Sequence, residues 1–119
     1  MHDRFAEGVA FFNVGNYYDA HEAWEDVWHD SSGDERLWLQ GLVQVAVALH
    51  HASVGNRLGA ASVLQRAANN LSRCPEDMWR MNINRLREDV ARNCGELKSD
   101  KELTKFVLSG SGPCHGEIT

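Results

Sequence analysis

Phe5, Val9 and Phe12 recur at i, i+4 and i+7, the spacing of one helical face, and Gly15-Asn16 follows with residues that tolerate positive φ. This predicts a first helix from about Asp3 to Val14. Ala20, Trp24 and Val27 repeat the periodicity, with Tyr17 and Trp28 on the edges of the stripe, until Ser31-Ser32-Gly33 stops it. Ser32 with Glu35 three residues on forms a capping-box pattern ahead of LWLQGLVQVAVALHHA, a stretch almost free of charge that predicts a buried third helix. Gly55-Asn56 breaks the chain again. Leu58, Ala61, Leu64, Ala68 and Leu71 then mark a fourth helix that ends near Arg73-Cys74-Pro75.

Beyond Pro75, Trp79, Ile83, Leu86, Val90 and Cys94 keep one helical face, while Asn82 and Asn84 are suited to capping. The expectation is a fifth helix from about Asn82 to Cys94, preceded by a looser turn over 76–81. Ser99 and Glu102 form another capping-box pattern, which predicts a short last helix carrying Leu103, Phe106 and Val107. The glycine-rich end, 109–119, is expected to be a flexible tail on a single domain spanning 1–108.

Laid against itself so that Gly15 falls on Gly55, the chain also matches Asn16 with Asn56, Ala20 with Ala60, Trp24 with Leu64 and Val27 with Ala67. Helices one and two thus correspond to helices three and four. The order of glycine, small residue and large apolar residue is close to that of tetratricopeptide hairpins, in which the small residue lets two antiparallel helices approach. Two such units are fewer than an open solenoid needs, so they should close on each other. The predicted fold class is all-α: a compact bundle of five or six helices containing two tetratricopeptide-like hairpins.

The four tryptophans supply a large apolar area for a chain of 119 residues, enough for one real core. A formal charge of -5, with acids and bases interspersed, offers no basic face for nucleic acid or an anionic membrane. Three cysteines without any tight metal spacing fit a reduced compartment, and Asp3 and Glu7 interrupt what a signal peptide would need, so a cytoplasmic protein is expected. Arg80, Arg85, Arg87 and Arg92, interleaved with Glu88 and Asp89, suggest a solvated face. No GxSxG, P-loop or dinucleotide fingerprint occurs.

The candidate chemistry lies in His21-Glu22 and Glu25 on the second helix and in Gln40, Gln44, His50 and His51 on the third. His21 and Glu25, four residues apart, share a helical face and could grip one ion, as in HExxH with glutamate in place of the second histidine. A third ligand would come from His50 or His51, and Glu22 would serve as the general base. The divalent metal would be zinc, manganese or iron. On the plainer reading, His21 bonds Gln44 or a backbone carbonyl, and Glu22 joins Asp19 and Asp26 on a solvated face. Gln40, Gln44 and His51 fall within about 40° of one another around a helix, and polar groups on a buried helix need partners. Asn56, just past that helix, could cap it or reach back to an imidazole.

FNVGNYYDAHEAWEDVW, followed by LQGLVQVAVALHHASVGNRLGA, resembles the DUF309 family of small bacterial, archaeal and plastid proteins over about residues 5–72. The matching positions are His21, Glu22, Trp24, Glu25, Trp28, Gln40, Gln44, His50, His51, Gly55 and Asn56. Met81-Asn82 stands where many members have glycine-aspartate. The resemblance implies an all-helical bundle and no established biochemical activity. Two functions are therefore in view. One is a non-enzymatic binding or scaffold domain in which these polar residues converge between helices two and three, for a small polar ligand or a protein. The other is a metal-dependent hydrolase using the ligands just named. Should Trp38 or Trp79 lie outside the bundle, either could anchor a homodimer.

Overall fold

The computed structural model describes residues 4–75, 81–108 and the backbone of 77–78. Five helices follow one another: α1 (Arg4–Asn13), α2 (Tyr17–His29), α3 (Gly33–Ser53), α4 (Arg57–Leu71) and α5 (Ile83–Lys98). Each packs on the next, α1 on α2, α2 on α3, α3 on α4 and α4 on α5, giving an all-α bundle as expected. The core runs through Phe5, Phe12, Trp24, Trp38, Leu39, Leu42, Leu64, Leu71 and Ile83, all buried. Between α4 and α5, in the stretch read as a looser turn, Asp77–Met78 (β1) and Met81–Asn82 (β2) form a minimal antiparallel ladder.

The repeat is built into the backbone. Gly15 and Gly55 adopt φ of +85° and +87°, and the asparagines behind them sit at φ -89°, ψ 72° and φ -92°, ψ 75°. In the first turn Asn16 N donates to Phe11 O at 2.8 Å, and in the second Asn56 N donates to His51 O at 2.8 Å. These bonds close a Schellman-type helix end, which requires the left-handed residue that glycine supplies. Ala20 and Ala60 are both fully buried, as are Trp24 and Leu64, so the matched positions face the same interior.

Close approach is secured by two other glycines. A Cβ on Gly8 would lie 2.5 Å from Cδ1 and 2.7 Å from Cε2 of Trp24, whose indole N–H donates to Phe5 O at 3.2 Å. A Cβ on Gly41 would lie 2.7 Å from Leu71 Cδ2, so α3 touches α4 through bare backbone.

Three expectations need correction. Ser32 holds the N-cap position of α3 but makes no side-chain capping bond, with Gly33 directly after it at φ +62°. Second, the short last helix does not form. α5 runs on to Lys98 and takes Ser99 as its C-cap, after which Asp100 at φ +58° turns the chain out of the helix. Residues 101–108 carry no helix, and Phe106 and Leu108 are buried while Lys105 and Val107 are exposed, the two-residue alternation of extended backbone. Asn13 clamps this segment, donating to Leu108 O at 2.9 Å and accepting from Leu108 N at 2.8 Å. Glu96 accepts from Thr104 N at 2.9 Å and from its hydroxyl, and Asn93 donates to Thr104 O at 3.0 Å.

Third, the arginine-rich face of α5 is not simply solvated. Arg87 donates to Leu71 O at 2.9 Å and Cys74 O at 2.5 Å, occupying carbonyls at the end of α4. Asp89 is buried beneath Arg85 and Arg92. Asn82 does cap α5, accepting from Arg85 N at 2.9 Å. Trp79, Arg80 and the 109–119 tail lie outside the described residues.

Two outcomes follow. Gly8→Ala forces a methyl into a pinned indole and should destabilise the chain by about 3 kcal/mol, the upper range for overpacking, read by chemical denaturation. The hydrogen bonds from Thr104 hold the Glu96 carboxyl below its ordinary pKa. A depressed carboxyl pKa stabilises the fold above its unfolded value, about 4.3, and that contribution is lost as pH falls through the folded value. The protection factor of the Thr104 amide should therefore fall in the wild type as pH drops below the ordinary carboxylate range, and in Glu96→Gln should already be reduced at neutral pH.

Candidate functional site

The expected meeting of α2 and α3 occurs, through fewer residues than expected and around one that the sequence reading passed over. Tyr18, in the first turn of α2, places its ring 5.3 Å from His21 and 5.5 Å from His50 of α3, measured between centroids. His21 sets Nδ1 3.0 Å from Tyr18 O and Nε2 3.6 Å from a Glu25 carboxylate oxygen. The backbone-carbonyl alternative for His21 and its pairing with Glu25 are thus both present. The Glu22 carboxylate beside the Tyr18 hydroxyl pushes that phenol's pKa above its ordinary value. Tyr18, His21, Glu22, Glu25 and His50 therefore form one cluster, which is open to solvent at Tyr18 and Glu22. Tyr18 was legible as the residue at i-3 from His21 and i-4 from Glu22.

The other predicted residues go elsewhere. Gln44 accepts from Asn70 of α4 at 2.7 Å. His51 places Nδ1 3.4 Å from the amide nitrogen of Asn56, and that side chain's oxygen caps α4 by accepting from Gly59 N at 3.0 Å. Asn56 thus reaches back to an imidazole while capping the following helix, not the preceding one. Gln40 is half-buried, on the stripe with Gln44. Gln44 and His51 serve the α3–α4 hairpin, so convergence of all eight residues between α2 and α3 does not occur. His50 and His51, 6.5 Å apart between rings, divide between the two interfaces, as a 100° step requires.

Among the described residues no three His, Cys, Asp or Glu side chains are grouped to hold a metal ion. His21 and Glu25 offer two donors, and a third ligand from His50 or His51 is not grouped with them. Cys74 and Cys94 are free, and burial pushes both thiols above their ordinary pKa, so neither is a poised thiolate nucleophile. Trp38 is fully buried and cannot anchor a partner, which removes it from the dimer expectation. No helix among the described residues is long and apolar enough to cross a membrane.

A cavity of about 540 Å³ opens at the same end of the bundle, lined by Val14, Gly15 and Tyr17 from the first turn, Leu49, Ala52, Ser53 and Arg57 around the second, Asn93 of α5 and residues 102–106. The large apolar residues left exposed also concentrate there. Val14 (74% exposed) and Val54 (66%) flank the two glycine turns, and Tyr18 (48%) and Leu58 (87%) follow them at matched positions of the repeat.

A repeated helical hairpin with an aromatic, imidazole and carboxylate cluster at one end defines an all-α bundle with a candidate site at its surface and a structural polar seam. Residues 5–63 match the profile of a family described as "Domain of unknown function (DUF309)", and the chain belongs to that family. It is also 32% identical over 101 residues to an "Uncharacterized protein" of Aquifex aeolicus (strain VF5); the match covers 82% of this chain and spans 30% of that protein's length.

Because Gln44 and Asn70 bond each other across a half-buried seam, removing either should cost about 1 kcal/mol and removing both should cost less than the sum. A double-mutant cycle of Gln44→Ala and Asn70→Ala, followed by denaturation, should give a coupling of roughly 0.5 kcal/mol or more.

Proposed function

We propose that the chain is a non-enzymatic binding domain whose recognition surface is the end of the bundle formed by the two glycine turns. The observation that supports this reading is the coincidence of two features at that end: Val14, Tyr18, Val54 and Leu58 stand exposed, and His21, His50, Glu22 and Glu25 surround Tyr18. An apolar centre with a polar, titratable rim is the anatomy of a protein interface, and an exposed tyrosine is a frequent anchor. Gln44, His51 and Asn56 act as scaffold, fixing the register of the second hairpin. The duplicated turns support a tetratricopeptide-like character, in which paired helices present one end or face to a partner. A cytoplasmic setting agrees with the free cysteines.

The metal-dependent hydrolase reading keeps one favourable observation, the His21–Glu25 pair at i, i+4. It requires a ligand that the described residues do not bring to that pair. Metal analysis of protein purified without a histidine tag separates the two. A binding domain should be metal-free and folded, whereas near-stoichiometric zinc, manganese or iron lost on His21→Ala would overturn the proposal. A photocrosslinking residue at Leu58 should capture a discrete partner that the same residue at Glu88 does not. Tyr18→Ala should weaken that capture by about tenfold, equivalent to the loss of one interface anchor, about 1.4 kcal/mol.

A further inference from the structure

The segment 101–108 rests on the bundle as a bound peptide would. It forms no helix, and beyond the turn bond at Lys101 the bonds that hold its backbone come from side chains of the bundle. Asn13 reads both the N–H and the C=O of Leu108, while Glu96 and Asn93 divide those of Thr104 between them. Phe106 sits in an apolar socket with its ring centroid 5.5 Å from that of Phe12, and Leu108 is buried beyond it. Such a groove depends on backbone and two apolar side chains, and nothing in it depends on the segment belonging to the same molecule.

The root of the segment carries backbone strain that the two earlier turns avoid. Lys101 N donates to Glu96 O at 2.8 Å, the same six-to-one closure seen at Asn16 and Asn56, yet the left-handed position here is Asp100 at φ +58° where the two earlier turns have glycine. A side chain in that region is strained relative to glycine. Arg57 holds the turn, donating to Lys101 O at 2.7 Å and Glu96 O at 3.3 Å. Asn93 completes only half of its clamp: its buried Oδ1 has no partner, although its amide donates to Glu96 and Thr104. Short hinges under strain favour exchange of the element they carry, because opening relaxes the hinge and the exchanged contacts are unchanged.

We propose that this groove is an interaction surface for a second copy of the chain, which inserts its own 101–108 segment so that two copies exchange segments about a two-fold axis. Each groove then receives Thr104, Phe106 and Leu108 from its partner, and the hinge at Asp100 extends. The groove shares no residue with the Tyr18 cluster, and its failure leaves the crosslinking test of that cluster unaffected.

The test is complementation between full-length variants. Asn13→Ala damages the groove and keeps an intact segment, and Phe106→Ala damages the segment and keeps an intact groove. In an exchanged mixed dimer one groove and its segment are both wild type. By sedimentation velocity, an equimolar mixture should dimerise at least about tenfold more tightly than either variant alone. Wild type mixed from differently isotope-labelled copies should show intermolecular nuclear Overhauser contacts between Asn13 and Leu108. Should Phe106→Ala lose its helical circular dichroism, Thr104→Ala, at an exposed position, replaces it. A mixture of folded variants that stays monomeric at high concentration, or Asn13–Leu108 contacts found only within one copy, would overturn the proposal.

Discussion

The constraint on which the structure depends is the left-handed glycine turn that occurs at residue 15 and again at residue 55. Each turn ends one helix with an N–H bonded five residues back and starts the next within two residues, so the following helix must double back along its predecessor. Burial of alanine in the first turn of the returning helix, at Ala20 and Ala60, then permits the close packing that Trp24 and Leu64 complete. The placement of the candidate site needs one more reversal, at the α2–α3 connection over 30–32, where Gly33 takes φ +62°. It lays α3 back along α2, so that the start of α2 and the end of α3 share the end of the bundle that carries the glycine turns, where Tyr18 meets His50. Neither residue has the other within its own helix; the turns supply the meeting.

The helices and the repeat were readable because they rest on local rules that the sequence states directly. Apolar spacing marked the stripes of α1 to α4, Gly-Asn marked two ends, and Asn82 marked the start of α5. What was not readable depends on competition between local preferences. Ser99 and Glu102 have the form of a helix start, but Ser99 is claimed as the end of a helix that runs longer than its apolar stripe, and the bundle offers Phe106 and Leu108 sockets that only an extended chain can fill. Arg87 and Asp89 looked like surface charges because spacing alone cannot show that the carbonyls ending α4 lie within reach of one, or that two arginines cover the other.

The candidate site was legible to a similar degree. The divergence of His50 and His51 follows from helix geometry, and the polarity of the α3 stripe was correctly read as a demand for partners. The partner's identity was not available, because Gln44 and His51 are satisfied by Asn70 and Asn56, residues whose own contexts are unremarkable. Polar groups on a buried helix signal that something faces them, and only the packing says whether it is a ligand or a neighbouring helix. Here one imidazole, His51, faces Asn56, and the other, His50, faces Tyr18 of α2.

The two asparagines that follow the glycine turns share a backbone and differ in what their side chains do. Asn16 donates to the Asp19 carboxylate at 2.7 Å, whereas Asn56 accepts from Gly59 N, and position 59 lies so near its amide that a methyl there would collide. The repeated scaffold is therefore asymmetric without any change in its main chain: one asparagine closes the helix that follows it, and the other pairs with an acidic group of the helix after it. Equivalent backbones can thus carry different side-chain duties, because the main-chain bonds that close each turn do not depend on what the asparagine side chain does.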